Sequence, residues 1–565
     1  MSSPRLRTQF EKLFEHFNGE DVGIQLDDIT EILFCTRRNA RIVLNKLAEE
    51  GWIEWKPAAG RGKLSELSFK RNRNDVSENL ARRYLEQGKI EQALNVLDRD
   101  ASKLTQVIQG YLGVQHQEGK QVVRLPYYRS LSMLNPRKPH RRSEQHIIRQ
   151  IFSGLTRLNE SEQVEPDLAH QWEQLRPDCW RFYIRPGVRF HNGVALKVEH
   201  IIETLELLKD INQFTHFNCI SSPSPWVVDI ELTRPDYQLP ISLCESPALI
   251  TLTEKEQAED HDRAPIGTGP FCVEVNDEKS LILEAFDGYF GYRSLVDRVE
   301  VWVIDEVHSS IVFPSLSHPV KPERSSIEDV ALDPGSTLLL LNRRSGLARE
   351  PNWSLYLSRK LSSFNIFRLL PEQQIAELGL IIANGIKPGW YHHTPKPMLE
   401  PPHKDEKIKI AYHSRHPIFP SIAKAIETLL KEDGLKAEFV RYEHSVESVK
   451  EIDIWIKPMG IGTRRDDALA GWLLNYSDIE LMAPDRDFNQ WFAFVKEWQS
   501  EPNKAFPANA LGRSLVETDQ IVPLFHCWLG VSKDHCGSLQ NAKCNALGWF
   551  DFSHVWVKPE LIEQS

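Results

Sequence analysis

The chain has 565 residues, of which 41% are hydrophobic and 26% are charged, and its formal net charge at pH 7 is −11. A chain of this length is too long for one ordinary hydrophobic core, so we expect two to four domains. The negative charge argues against a protein that coats nucleic acid. Residues 1–75, however, hold 13 Lys or Arg and 12 Asp or Glu, so a DNA-binding surface would depend on local placement of charge.

Neither a secretion signal nor a membrane span can be recognised. The first residues lead into an amphipathic segment without the apolar stretch of a signal peptide, and nowhere do 18 apolar residues run together. The eight cysteines never form a Cys-x-x-Cys pair, so we expect reduced thiols rather than a disulfide framework. These features predict a cytoplasmic protein with no membrane partner.

Three helices are predicted at the amino terminus. Apolar residues recur at helical spacing over residues 5–17 and again, for about two turns, from Leu26 to Leu33. Thr36 is placed to cap a third helix, because its hydroxyl can accept hydrogen bonds from the free amides of the first turn. The inward stripe of this third helix is predicted to be Ala40, Val43, Leu44 and Leu47.

The other faces of the third helix are polar and mostly basic. Arg37, Arg41 and Asn45 follow one another at intervals of four residues and therefore share a face. In the major groove of DNA, Arg can bind guanine with two hydrogen bonds and Asn can do the same with adenine. We therefore predict a DNA-binding set in this helix: Thr36, Arg37, Arg38, Asn39, Arg41, Asn45 and Lys46.

A wing is predicted after this helix, which we expect to end at Gly51. A strand from Trp52, a tip with the sequence Gly60-Arg61-Gly62-Lys63 and a second strand ending at Phe69 follow in order. Arg61 and Lys63 lie where a wing meets phosphates or the minor groove. Residues 1–72 are thus predicted to be an α+β winged helix-turn-helix that binds double-stranded DNA. The alternative is a three-helix packing module with solvated arginines.

Residues 73–118 are predicted to be a helical connector, because apolar residues have helical periodicity on both sides of Gly88. Such helices usually pack on a neighbouring domain, and a dimer helix is the alternative. From residue 119 onward, strands alternate with helices, which indicates a mixed α/β domain over residues 119–565. Within it, residues 408–440 predict a βαβ unit, which should be right-handed.

Four segments of this third region resemble bacterial solute-binding proteins of the oligopeptide and nickel transport class. They are residues 151–157, residues 180–193 with the sequence Phe190-His191-Asn192-Gly193, residues 265–271 with Gly267-Thr268-Gly269-Pro270, and residues 289–293. The resemblance covers residues 121–556 and implies a two-lobed ligand-binding fold. It is thin between residues 305 and 405, so we expect a reduced second lobe.

Taken end to end, the chain resembles the SgrR-type transcription regulators of sugar-phosphate stress. The residues that carry this resemblance are Thr36-Arg37-Arg38, Gly60-Arg61-Gly62-Lys63, Gln150-Ile151-Phe152-Ser153 and Gly548-Trp549-Phe550-Asp551-Phe552. The resemblance implies a regulator whose ligand is a sugar phosphate or a related small molecule. A substrate-binding protein of a peptide or nickel ABC transporter is the alternative, but it would need an export signal and no winged amino terminus.

The sequence gives little evidence for a metal site, a phosphate-binding loop or a catalytic site. Several side chains are metal ligands by type, but their spacing fits no structural zinc pattern: His526, Cys527, His535, Cys536 and Cys544. Residues 267–270 lack the ending of a phosphate-binding loop, and His413 and His416 are interpreted as surface residues. Because no catalytic constellation is recognisable, we expect neither an enzyme nor a metal or other cofactor.

One basic cluster could bind an anion. Arg137, Lys138, His140, Arg141 and Arg142 precede a helix that Ser143 is predicted to cap. Free amides at a helix start favour an anion, and two adjacent Arg side chains can bind phosphate oxygens. Arg141, Arg142 and Ser143 are therefore candidate ligand-binding residues, with ordinary solvated charge as the alternative.

Overall fold

The computed structural model divides into two compact units, residues 1–112 and 113–565. The residues that it describes are 4–58, 63–86, 89–97, 107, 113–117, 119–131, 133–304, 327–389, 399–443, 449–475, 477–532 and 539–559.

The amino-terminal unit has the predicted three helices and a small antiparallel sheet. The helices are α1 (Pro4–His16), α2 (Leu26–Leu33) and α3 (Arg37–Glu49). The strands are β1 (Val22–Ile24), β2 (Ile53–Lys56) and β3 (Ser65–Phe69), in the order β1-β3-β2. The sequence predicted β2 and β3 but not β1, which is too short to show a period of two and pairs with β3 through the contact of Gly23 with Glu66.

Apolar residues spaced along α1 and α3 form the core of this unit. Phe10, Leu13, Leu44 and Leu47 are completely buried, and the ring of Phe10 meets the indole of Trp52 edge to face at 5.6 Å between centroids. The burial of one such aromatic ring stabilises the fold by roughly 1.5–3 kcal/mol.

The predicted connector helices belong to the same core. They are α4 (Arg73–Glu86) and α5 (Ile90–Val96), and they contribute Val76, Leu80 and Val96 to the apolar cluster around α1 and α3. The break between the two compact units falls at residue 112 rather than 118, because the segment 113–117 is a strand of the next unit.

The first lobe of the second unit contains two sheets. One is β12-β13-β14-β5-β4, formed by β4 (Gly113–Gln117), β5 (Lys120–Tyr127), β12 (Phe271–Asn276), β13 (Ser280–Ala285) and β14 (Arg298–Val303). The other is β10-β11-β9-β8, formed by β8 (Ala169–Arg176), β9 (Cys179–Ile184), β10 (Phe217–Ser224) and β11 (Val227–Leu232). Trp180, Phe182 and Ile184 alternate inward along β9.

Shorter elements complete this lobe. They are the hairpin β6 (Thr156–Leu158) and β7 (Val164–Pro166), the helices α6 (Arg142–Ile151), α7 (Val198–Leu207) and α8 (Leu239–Ser242), and the pair β23 (Leu539–Gln540) and β24 (Trp556–Val557). The chain returns here from the second lobe, so Trp549, Phe550 and Phe552 are buried in the same core as β5 and β14.

The second lobe is a six-stranded sheet covered by helices. Its strand order is β17-β21-β16-β20-β18-β19, with β16 (Thr337–Leu341), β17 (Ile381–Ile382), β18 (Lys407–His413), β19 (Lys436–Tyr442), β20 (Ile454–Pro458) and β21 (Ile521–His526). Its helices are α9 (Pro351–Lys360), α10 (Ser363–Phe367), α11 (Glu372–Leu378), α12 (Phe419–Glu432), α13 (Ala468–Leu474), α14 (Ser477–Met482), α15 (Asp485–Ser500) and α16 (Ala508–Glu517).

The sequence led to two predictions for the second lobe, a βαβ unit and a reduced size. The predicted βαβ unit is present, since β18 and β19 are parallel and α12 lies between them in the chain. Apolar side chains fill both faces of this sheet, and a lobe reduced relative to other solute-binding proteins stays a prediction. Two antiparallel strands, β15 (Ile327–Leu332) and β22 (Trp528–Ser532), lie where the chain passes between the lobes.

The Gly-Thr-Gly-Pro turn has a structural role in the first lobe. A Cβ atom on Gly267 would lie 2.1 Å from the carbonyl oxygen of Ile151, and one on Gly269 would lie 2.6 Å from its carbonyl carbon. The Gly269 amide donates to that oxygen at 2.7 Å, and His191 Nε2 lies 3.0 Å from the Gly269 oxygen. Three of the segments recognised in the sequence therefore meet at the end of α6.

Candidate DNA-binding surface and ligand cavity

Helix α3 is positioned by its cap and its buried stripe. Thr36 has an extended backbone, and its hydroxyl accepts a hydrogen bond from the Asn39 amide at 3.3 Å, which confirms the predicted cap. Gly51 follows the helix with φ +69°. The predicted inward residues Ala40, Val43, Leu44 and Leu47 are all buried. The remaining faces of the helix therefore point to solvent.

Every predicted DNA-contact residue of α3 lies on those faces. The exposed residues are Thr36, Arg37, Arg38, Asn39, Arg41, Asn45 and Lys46. Arg38, Arg41 and Asn45 are three and four residues apart, so their side chains leave the helix in neighbouring directions. Ile42, which the sequence analysis did not assign, is exposed among them.

Arg37 differs from the other basic residues of α3. Its guanidinium forms a two-point ion pair with the carboxylate of Asp27 on α2. The hydrogen bond from Arg37 lowers the pKa of Asp27 and raises the pKa of the guanidinium. Arg37 therefore links the two helices of the helix-turn-helix, and it can bind DNA only by sharing or leaving Asp27.

The wing is an antiparallel hairpin in which β2 pairs with β3. Lys63 is exposed two residues before the returning strand β3, whereas Arg61 lies outside the described residues. Lys56 and Lys70 both pair with Glu54, at 3.1 Å and 2.7 Å. Their charges are partly neutralised, so Lys63 is the better candidate for a phosphate contact within the described part of the wing.

A cavity of about 750 Å³ lies between the two lobes of the second unit. It is bounded by α6, the β6–β7 hairpin, residues 462–464 of the second lobe and residues 541–554. The lobes touch at its rim, where the Arg464 amide donates to Glu162 Oε1 at 2.7 Å and Arg464 Nη2 donates to the Cys544 oxygen at 3.1 Å. A volume in this range suits a small organic ligand.

Four residues that line the cavity carry buried polar atoms without a hydrogen-bond partner among the described residues. These atoms are His146 Nε2, Arg149 Nε, Gln150 Oε1 and Asp167 Oδ1. Such atoms are uncommon in folded proteins and usually need water or a ligand. Burial lowers the pKa of His146 to about 3, so the ring is neutral. Burial raises the pKa of Asp167 to about 6, with Arg157 opposing the rise.

Arg149 and Arg464 line this cavity without an ion pair among the described residues, and Arg149 is the less exposed of the two. It donates to the Gly462 oxygen at 3.2 Å, and within the described part of the chain it forms no ion pair. A Cβ atom on Gly462 would lie 2.5 Å from Arg149 Nη2, so only glycine allows this approach. By contrast, Arg157 donates to Glu165 at 2.7 Å. Burial raises the pKa of Glu245, which Arg149 partly opposes.

The predicted anion site before α6 is arranged differently. The cap of α6 is Arg141, so the prediction that Ser143 caps this helix was wrong. Ser143 is buried inside the first turn, where its hydroxyl lies 3.2 Å from Trp549 Nε1. Arg142 forms an ion pair with Asp333 and donates to the Ala546 oxygen at 3.0 Å. Arg141 donates to the Glu443 oxygen. The three residues therefore face different partners.

The candidate metal ligands are also separated. His526 Nδ1 lies 2.8 Å from the Gly335 oxygen, and Cys527 Sγ lies 3.5 Å from Asp333 Oδ2. His535 and Cys536 lie outside the described residues. Across the ranges that are described, no three His, Cys, Asp or Glu side chains are grouped as for a metal ion. No helix in those ranges has the length and apolarity that a membrane crossing requires.

Comparisons of each part of the chain agree with this geometry. Residues 5–119 match the family described as "Sugar transport-related sRNA regulator N-term", and residues 163–311 match "Bacterial extracellular solute-binding proteins, family 5 Middle". The oligopeptide-binding protein AppA from Bacillus subtilis, solved with a nonapeptide, aligns with a TM-score of 0.63 at 15% identity. The alignment covers 78% of this chain and 100% of AppA. The protein is thus a helix-turn-helix transcription regulator joined to a solute-binding-protein fold.

Full-length relatives identify the family. The HTH-type transcriptional regulator SgrR of Pectobacterium atrosepticum is 34% identical over 99% of this chain and 100% of its own length. The regulator of the same name in Yersinia enterocolitica is 32% identical over the same shares. The chain belongs to the SgrR family of transcriptional regulators.

Proposed function

We propose that this regulator reads specific DNA sequences in the cytoplasm through the exposed face of α3, with the wing holding the phosphate backbone. The observation that carries the proposal is the division of α3 into a buried apolar stripe and an exposed basic and amide face. The free thiols of the described cysteines suit a reducing compartment. The proposed DNA-binding residues are Thr36, Arg37, Arg38, Asn39, Arg41, Asn45, Lys46, Arg61 and Lys63.

The wing should contribute affinity without sequence preference. Lys63→Ala and Arg61→Ala are each expected to weaken binding to preferred and random duplexes by the same factor. Each should also flatten the plot of log affinity against log salt by about 1 per lost phosphate contact. Lys56→Ala is the matched control, because Lys56 is already paired with Glu54. Fluorescence anisotropy at several salt concentrations measures this, and an unchanged slope in both variants would remove the wing from the interface.

We further propose that the cavity of the second unit binds a small ligand, with a sugar phosphate as its chemical class. Arg149 is the proposed phosphate contact, because a guanidinium without a carboxylate partner can give two hydrogen bonds to phosphate oxygens. The hydroxyl and amide groups around it, on Ser153, Thr463 and Asn545, suit sugar hydroxyls. This assignment replaces Arg141, Arg142 and Ser143, and it involves no catalytic step.

A transporter component is the alternative from a different class. The likeness to solute-binding proteins concerns the second unit only, and the first unit has no use in delivering a solute to a membrane transporter. The winged unit therefore favours a regulator that uses the solute-binding fold as a sensor.

Ligand binding in the sensor should change DNA affinity. Coupling between two sites in one protein is typically 1–3 kcal/mol, so we expect the right sugar phosphate to shift operator affinity by roughly 5–150-fold. The measurement is a mobility shift with the DNA upstream of the protein's own gene. It is repeated with hexose 6-phosphates, the parent hexoses and inorganic phosphate.

Two variants locate the response. Arg149→Gln should abolish the effect of the sugar phosphate and leave ligand-free DNA binding unchanged. Arg189→Gln is the control, since Arg189 also donates to a backbone oxygen, that of Gly193 at 2.8 Å, but outside the cavity. A full response in Arg149→Gln would refute the cavity assignment. Sugar-phosphate binding detected by calorimetry that leaves operator affinity unmoved would refute the coupling.

A further inference from the structure

Two of the three exposed large apolar side chains in the described part of the amino-terminal unit lie on the elements proposed to bind DNA. Among its described residues, the large hydrophobic side chains that are exposed are Phe34 at 86%, Ile42 at 45% and Leu64 at 57%. Phe34 lies in the turn between α2 and α3, Ile42 lies on α3, and Leu64 lies beside Lys63 in the wing. Apolar groups thus remain uncovered on both elements that would face DNA, α3 and the wing.

Of these three residues, Ile42 lies on α3, the helix proposed to read the DNA sequence. It is the sixth residue of α3, with Arg38 one turn before it and Asn45 and Lys46 one turn after it. Neighbours at these spacings lie on the same side of a helix. Ile42 therefore lies within the row of polar side chains proposed to reach base edges, rather than at the border of the buried stripe.

An exposed Ile at this position brings no benefit to the free protein. Ile is a weaker helix former than Ala, Arg or Lys, because its branched side chain loses rotamer freedom against the preceding turn. Its side chain is not part of the apolar cluster formed by the other faces of α3. The apolar group that the major groove offers to such a side chain is the C5 methyl of thymine.

We propose that Ile42 reads a thymine methyl group in the major groove and so determines one position of the operator. The inference depends on the proposed role of α3 in DNA binding and goes beyond it, because it adds an apolar contact to a set of hydrogen-bonding residues. Arg38 and Asn45 would then bind bases on either side of the thymine that Ile42 contacts.

The test removes the methyl group from the DNA and the side chain from the protein. A preferred duplex is selected from a random pool with the full-length protein, and each thymine is then replaced in turn by deoxyuridine. For the wild type, one replacement in the contacted site should weaken binding about fourfold, which is the expected effect of one buried methyl group. In Ile42→Ala the same replacement should have no effect, while replacements elsewhere keep their wild-type effects.

Two controls make the outcome decisive. Leu64→Ala removes another exposed apolar side chain, and it should retain the wild-type sensitivity to that thymine. Ile42→Ala raises helix propensity, so its melting temperature should not fall and lost binding cannot be attributed to unfolding. The proposal is overturned if no thymine is sensitive in the wild type, or if the sensitive thymine remains so in Ile42→Ala. Failure of the α3 assignment itself would appear separately, as unchanged footprints when Arg38 and Arg41 are replaced.

Discussion

Replacing Arg38 or Arg41 by alanine is expected to remove about 1–3 kcal/mol of binding free energy for the preferred DNA sequence, which is the range for one two-point contact with a base. Both side chains are exposed, and neither belongs to the buried stripe Ala40, Val43, Leu44 and Leu47. The melting temperature of the unit should therefore change little, as is usual when a surface residue is replaced. The loss should be much smaller on random DNA, because base contacts contribute to specific binding only.

Footprinting and anisotropy with full-length protein measure this loss. Arg82→Ala is the matched control, because Arg82 is an exposed arginine of the same unit on α4 and its replacement removes the same charge. Arg82→Ala should bind like the wild type. If both α3 variants give unchanged footprints, α3 is not the reading element. If Arg82→Ala loses as much as they do, the effect is that of net charge rather than of base contact.

Arg37, unlike Arg38 and Arg41, can bind DNA only by sharing or leaving Asp27. The sequence did not predict this difference. The periodicity of α3 predicted which residues are buried, because a helix brings every third or fourth residue to the same side. It placed Arg37 on the same surface as Arg41. The structure pairs Arg37 with Asp27 ten residues earlier, and spacing within one helix contains no information about a partner on another helix.

The ligand cavity was not predicted for the same reason, because it depends on contacts between segments that are distant in sequence. The helix α6 was expected from the sequence, but the cavity beside it is formed by segments far apart in the chain, such as His146 and Asn545. His413 and His416 were interpreted as surface residues because they were expected to lie in a Pro-rich loop. His413 is buried, with its Nε2 at 3.0 Å from the Glu443 oxygen, and His416 is half-buried and stacked on Phe419. The composition of a segment describes the residues beside it in the chain, but not the residues that pack against it in the folded protein.

The second large effect is expected when Arg142 is replaced, and it is a loss of stability rather than of ligand binding. Its ion pair joins the first turn of α6 to Asp333, directly after the linking strand β15 and 191 residues away in sequence. Only 19% of the Arg142 side chain and 7% of the Asp333 side chain are exposed. The Asp333 carboxylate also accepts from the Gly335 amide at 2.8 Å. The pair therefore connects the first lobe to the point where the chain enters the second.

Arg142→Met should lower the unfolding free energy of the second unit by about 3–5 kcal/mol, because it leaves the buried carboxylate of Asp333 without its counter-charge. Asp333→Asn should restore much of this loss when combined with Arg142→Met, since the amide oxygen can still accept from Gly335 and no buried charge remains. Urea unfolding of the full-length protein, followed by a probe in the second unit, gives both values. A loss below about 1 kcal/mol in Arg142→Met would mean that water screens the pair as it does at a surface. A large loss that Asp333→Asn leaves unchanged would mean that the packing of the Arg142 side chain, rather than its charge, stabilises the junction between the lobes.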